Sequence, residues 1–108
     1  MNWTVETLNA IVDAEVASLP ADMRARLSRI SALVEISGLA QVHEPHIAHV
    51  EGSLWEMRMK GRDGISRALY VTARPRRVVI VRVFVKKTQK TPRHEIELAL
   101  KRAEEVQE

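Results

Sequence analysis

From Leu54 to Val85 the chain repeats with a period of two, broken twice by short turns, and this pattern narrows the possible folds more than any other. Trp55, Met57 and Met59 alternate with Glu56, Arg58 and Lys60. On a strand that sets three apolar side chains on one face and three charged ones on the other. Gly61-Arg-Asp-Gly64 reads as a hairpin turn, with Asp-Gly supplying a positive φ. Ile65 to Thr72 is the next strand, and Ala73-Arg-Pro-Arg-Arg77 the next turn. Val78 to Val85 is the most apolar strand and is expected near the centre of a mainly antiparallel sheet. Arg82 interrupts it, and simple parity puts Arg82 on the face of Val78, Ile80, Phe84 and Lys86. Arg67 and Tyr70 are an odd number of residues apart, so they fall on opposite faces unless a bulge intervenes.

Helical spacing surrounds this block. Residues 2–6 alternate like a short first strand, and Thr7 is a candidate cap for the helix after it. Leu8, Ile11, Val12, Val16 and Leu19 then give one apolar face, and Pro20 ends the run. A second helix fits 21–37, with Met23, Leu27, Ile30 and Val34 on its stripe and Gly38 as its stop. The two read as a helical hairpin. Residues 39–52 read as a connection. A last helix spans about 92–106, with Thr91 as cap, Pro92 in its first turn, and Ile96, Ala99, Leu100 and Ala103 on its stripe. The expected order is β-α-α-β-β-β-α, an α+β fold in which a helical hairpin packs on one sheet face. Residues 1–108 form a single domain.

Charge is segregated along the chain. Residues 1–57 carry three basic and eight acidic side chains, 58–93 carry twelve and one, and 94–108 carry two and five. The middle third therefore sets up a focused positive field, and nucleic acid is the commonest polyanion such a field meets. The absence of cysteine removes disulfides, thiol catalysis and cysteine-based zinc sites. No signal-peptide pattern or membrane-length apolar run is present, so a cytoplasmic protein without a membrane partner is expected. His43, His46 and His49 lie three apart, a spacing open to a metal reading. Pro45 interrupts any helix that would align them, and no metal or cofactor is expected.

The order of elements, with three motifs, resembles the RelE/HigB superfamily of bacterial toxins, closest to its phage-derived HigB-like branch. The motifs are Glu51-Gly-Ser-Leu-Trp-Glu-Met-Arg58 leading to Lys60, then Gly64-Ile-Ser-Arg67-Ala-Leu-Tyr70, and Phe84-Val-Lys-Lys-Thr-Gln-Lys-Thr-Pro92 followed by Glu95-Ile96 and Ala99. The likeness spans nearly the whole chain. It implies a RelE-like fold and the toxin of a type II toxin–antitoxin system. It implies an endoribonuclease that cuts messenger RNA in the ribosomal A site and inhibits translation. It also implies neutralisation by a helix-turn-helix, HigA-like antitoxin. Two other readings share the scaffold: a ParE-like inhibitor of DNA gyrase that is no nuclease, and a non-catalytic RNA-binding phage remnant.

Metal-independent cleavage of RNA by its own 2′-OH needs a base, positive charge for the pentacovalent phosphate, and an acid for the leaving oxygen. Arg58, Lys60, Arg67, Arg82, Lys86 and Lys87 are the catalytic candidates, drawn from three successive strands. A free lysine titrates near ~10.4 and is a donor unless neighbouring cations lower that value; Lys60 and Lys86 are the candidates for proton transfer. Tyr70, Lys90 and Arg93 are candidate substrate contacts. Relatives carry a tyrosine or histidine beyond the last strand, where this chain offers only His94. Arg82, a cation inside an apolar strand, needs a partner, for which Glu56 is a candidate.

Overall fold

The computed structural model describes residues 2–42, 46–86 and 90–107. Five strands form one sheet in the order β1-β5-β4-β3-β2. They are β1 (Thr4–Thr7), β2 (Ile47–Glu51), β3 (Leu54–Gly61), β4 (Gly64–Ala73) and β5 (Arg77–Lys86). The strands β2 to β5 run antiparallel as a meander, and β1 joins β5 in parallel. The helices are α1 (Ala10–Ala17), α2 (Ala21–Ser37) and α3 (Arg93–Ala103), with a 3₁₀ turn at Leu39–Gln41. None is long and apolar enough to cross a membrane.

Two apolar layers hold the sheet. On one face, Met57, Met59, Ala68, Tyr70, Val78, Ile80 and Val83 meet Val12 and Leu19 of the α1 region and Met23, Leu27, Ile30 and Val34 of α2. On the other, Leu54, Leu69, Val71, Ala73, Val79, Val81 and Phe84 meet Ala99 of α3, with Ile96, Leu100 and Ala103 at the margin. Met23, Leu27, Ile30 and Val34 of α2 are buried as expected, while Leu33 and Ile36, expected to widen that stripe, are exposed; of the α3 stripe Ala99 is fully buried and the rest lies at the margin. In α1 only Val12 is fully buried, and Ile11 is 60% exposed.

Several local expectations are corrected. The connection at 39–52 contains a fifth strand, β2, whose five residues are too few to display a clear period. Asn9, not Thr7, caps α1, accepting from the Val12 N–H at 3.1 Å; Thr7 lies in β1. Thr91 caps nothing, because α3 begins one residue after Pro92 and the Thr91 hydroxyl is used elsewhere. The positive φ of the hairpin falls on Gly64 (137°) and not on Asp63. Within the sheet β4 is central and β5 lies beside it. A bulge falls in β5: Leu69 pairs with Arg82 and Tyr70 with Ile80, leaving Val81 over. It reverses parity within β5, so Arg82 shares a face with Val79 and Val81 and not with Val78 and Ile80.

The sheet edges are closed by side chains. Beyond Ile80, where β1 stops pairing, Glu15 accepts from the Val83 N–H at 3.0 Å and Arg102 donates to the Val81 carbonyl at 2.9 Å. Glu35 of α2 accepts from the Val5 N–H at 3.0 Å. Each satisfies an edge group that would otherwise be open to pairing with another chain.

Candidate nucleic-acid interface

Among the described residues, α3 covers one end of its sheet face. Toward the β3–β4 hairpin that face continues as three cross-strand rows. The first is Glu56–Leu69–Arg82, the second Arg58–Arg67–Phe84, the third Lys60–Ile65–Lys86. Neighbouring strands are ~4.8 Å apart and alternate residues ~6.7 Å apart. The last two rows therefore make a cationic patch on the order of 10 by 7 Å, the scale of one phosphodiester with its flanking groups. Lys60 is exposed, Arg58 and Lys86 are half-buried, and Arg67 is buried at 2% exposure.

Glu56 organises the patch from beneath. It is 2% exposed and its carboxylate accepts from three directions. Arg58 Nε donates to Oε2 at 2.6 Å, the Arg67 guanidinium donates to the same oxygen, and the Thr91 hydroxyl donates to Oε1 at 2.8 Å. A buried arginine is tolerated only when paired and hydrogen-bonded, and Glu56 is one partner that lets Arg67 lie in the sheet. Arg58 is tied at Nε only among the described contacts, and its side chain is 37% exposed. Through Thr91 the same carboxylate anchors the segment that leads into α3.

Arg82 is built into the frame. Glu95 of α3 takes it by two bonds, at 2.7 and 3.1 Å, and Glu15 of α1 lies 2.8 Å away. Its guanidinium carbon also lies 5.7 Å from the centre of the Phe84 ring. Glu95, then Glu15, raise its affinity for the proton against the opposing effect of burial. Its partner is thus Glu95 with Glu15, and not Glu56. The Glu15 carboxylate also holds Arg102 at 2.8 Å, so one acid on α1 and one on α3 lock both helices to β5. Arg93 is 59% exposed by side chain and lies against Glu51 at 2.5 and 3.0 Å, which, followed by Glu97, raises its pKa.

Tyr70 is not with the cations. It faces the helical hairpin at 1% exposure, and burial pushes its phenol up to about 12. It therefore offers the cationic face neither a ring nor a proton, which corrects the expectation of a substrate contact there. Lys90 is exposed, and His94 is exposed at the start of α3 with Glu95 at 3.8 Å. Lys87 and His43 lie outside the described residues. His49 donates a ring N–H to the Gly52 carbonyl at 2.8 Å and packs edge-on against Trp55, with ring centres 4.9 Å apart. Among the described residues no group of three His, Cys, Asp or Glu side chains is placed to hold a metal ion.

Sequence reasoning put Glu56 on this face but gave it Arg82 as a partner in place of Arg58 and Arg67, and it missed the Thr91 contact. Glu56 had a readable signal: it is the one acid on the polar side of a strand whose other members there are Arg58 and Lys60. Thr91 had none, because its contact spans 35 residues of sequence.

Three comparisons bear on this arrangement. A family model described as "Phage derived protein Gp49-like (DUF891)" matches residues 14–104. No curated protein matches the sequence. Among solved structures, the crystal structure of an archaeal RelE–RelB complex from Pyrococcus horikoshii contains a chain similar in fold. Its TM-score is 0.56 at 20% identity, over 79% of this chain and 96% of that one. The family match covers most of the chain, and the fold is shared with the archaeal RelE chain: this chain belongs to the phage-derived Gp49-like family.

Proposed function

We propose that the protein is the toxin of a toxin–antitoxin pair and cuts messenger RNA by metal-independent attack of the 2′-OH on the adjacent phosphate. The observation that carries this is the end of the sheet face beyond α3, where Arg58, Lys60, Arg67 and Lys86 share two adjacent rows. Arg67, fixed by Glu56, supplies a rigid positive field, and Arg58 presents a planar fork suited to phosphate oxygens. Lys60 and Lys86 flank Ile65 and reach the scissile group from either side; one transfers the nucleophile's proton and the other serves the leaving 5′ oxygen. Arg82 acts as a positioning residue, because its charge is already met by two carboxylates. Lys90 and Arg93 belong to docking on the ribosome or on the antitoxin.

Family membership and the RelE-like fold support the toxin reading, and a chain named RelE was solved in complex with RelB. An antitoxin of the HigA-like, helix-turn-helix kind is the partner we propose, with the ribosomal A site as the place of cutting. Pulsed expression followed by primer extension on a reporter message tests it. New 5′ ends within codons are expected. Growth arrest with intact messages and inhibited DNA supercoiling would transfer the protein to the gyrase-inhibitor reading.

A further inference from the structure

Three of the chain's four aromatic residues, Trp3, Trp55 and Tyr70, line a single cavity on the face away from the cations. Its volume is about 520 Å³, and Leu39, Val42 and Ile47 complete the apolar wall. It lies beside the 3₁₀ turn that follows α2, where Trp55 and Tyr70 are direct cross-strand partners. Trp55 is 39% exposed, and its ring is held in place by His49, which is itself fixed by Gly52.

The polarity of the wall is one-sided. No described residue lining the cavity is charged. Its polar side-chain groups are the two indole N–H groups and the phenol, none hydrogen-bonded to a described residue, with the exposed Thr72 hydroxyl at the rim. Indole N–H groups only donate. The Tyr70 phenol, 1% exposed and held protonated by burial, is also available to donate. The phenol lies at the wall of an apolar cavity with no partner among the described residues, so an apolar ligand that brings a carbonyl oxygen complements it. A phosphate-bearing ligand would find no cation among the described lining residues. The volume suits one bulky side chain with the peptide units on either side of it.

We infer that this cavity is a peptide-anchoring site: it takes an aromatic or leucine-sized side chain of a partner protein, with Tyr70 donating to a carbonyl of the same segment. A partner held here would leave the cationic face on the other side of the sheet uncovered. The site stands independently of the RNA-cleavage reading.

Both tryptophans of the chain line the cavity, so red-edge indole fluorescence reports its occupancy. Titration of the intact protein with N-acetyl-phenylalaninamide should give a saturable spectral change with half-saturation in the millimolar range, as suits one anchored side chain. Tyr70→Phe, which removes only the hydroxyl, should weaken binding about 5-fold. Val42→Glu, which sets a carboxylate in the wall, should abolish it, with thermal melting of each variant confirming the fold. No saturable change in the wild type would overturn the inference. So would equal binding by the wild type and both folded variants, or saturation by uridine monophosphate in place of the peptide mimic.

Discussion

At the scale of single residues, two arginines that look alike in sequence have different work. Arg82 interrupts an apolar strand, and that placement signals importance without saying of what kind. The structure gives it Glu95 and Glu15, so Arg82→Ala leaves two carboxylates facing each other near the α3 contact. That variant should lose about 2 kcal/mol of unfolding free energy in a denaturant titration. Lys60→Ala and Lys86→Ala should leave stability within about 0.5 kcal/mol and reduce RNA cleavage. Glu56→Ala should be the most damaging of the set in a denaturant titration, because it removes a buried carboxylate shared by Arg58, Arg67 and Thr91. Retained stability in Glu56→Ala would show that this cluster does not depend on the carboxylate. The cations were legible because alternation in a strand fixes which side chains share a face. The acids that hold Arg82 were not, because Glu15 and Glu95 reach the sheet from elements distant in sequence.

At the scale of elements, the strongest periodic segments were the readable ones. The stripes of α2 and α3 and the strands after Leu54 carry enough residues to declare a period. Strand β2 does not, and neither does the bulge at Val81, which a count of residues along one strand cannot reveal. The β3–β4 hairpin adds a contact that local chemistry does not foretell. Asp22, at the start of α2, accepts from the Arg62 N–H at 2.7 Å. A β-carbon at Gly61 would lie 2.8 Å from an Asp22 oxygen and 2.8 Å from Met23 Cγ. Gly61→Ala should therefore cost about 1–3 kcal/mol through crowding and disturb the seat of Lys60 next to it; melting temperature reads the first effect. The Arg62 N–H holds the Asp22 carboxyl below its ordinary pKa of 3.8. A group lowered on folding stabilises above its unfolded pKa, and that contribution fades as pH falls through the folded value. Asp22→Asn should thus be less stable than the wild type at neutral pH, with the gap closing below about pH 4. A gap independent of pH would show that the contact is not electrostatic.

At the scale of the whole molecule, the sheet is sealed on one face by the helical hairpin and on the other, among the described residues, only partly, by α3. The uncovered remainder is where the segregated positive charge collects. The long cationic middle was legible in the sequence; the end of α3 at Ala103 was not, because the expected helix ran to about 106. Which rows the helix would cover depended on where it starts, and that is set by Glu56 holding Thr91. The central claim is that the uncovered rows cut RNA. Its most direct test is single-turnover cleavage of a messenger RNA programmed on ribosomes, comparing wild type with the Lys60→Ala, Lys86→Ala double variant. The wild type should cut, and the double variant should be slower by at least about 100-fold, the lower range for general acid–base catalysis, with unchanged melting. An uncut message with the wild type, or equal rates for the two proteins, would contradict the account.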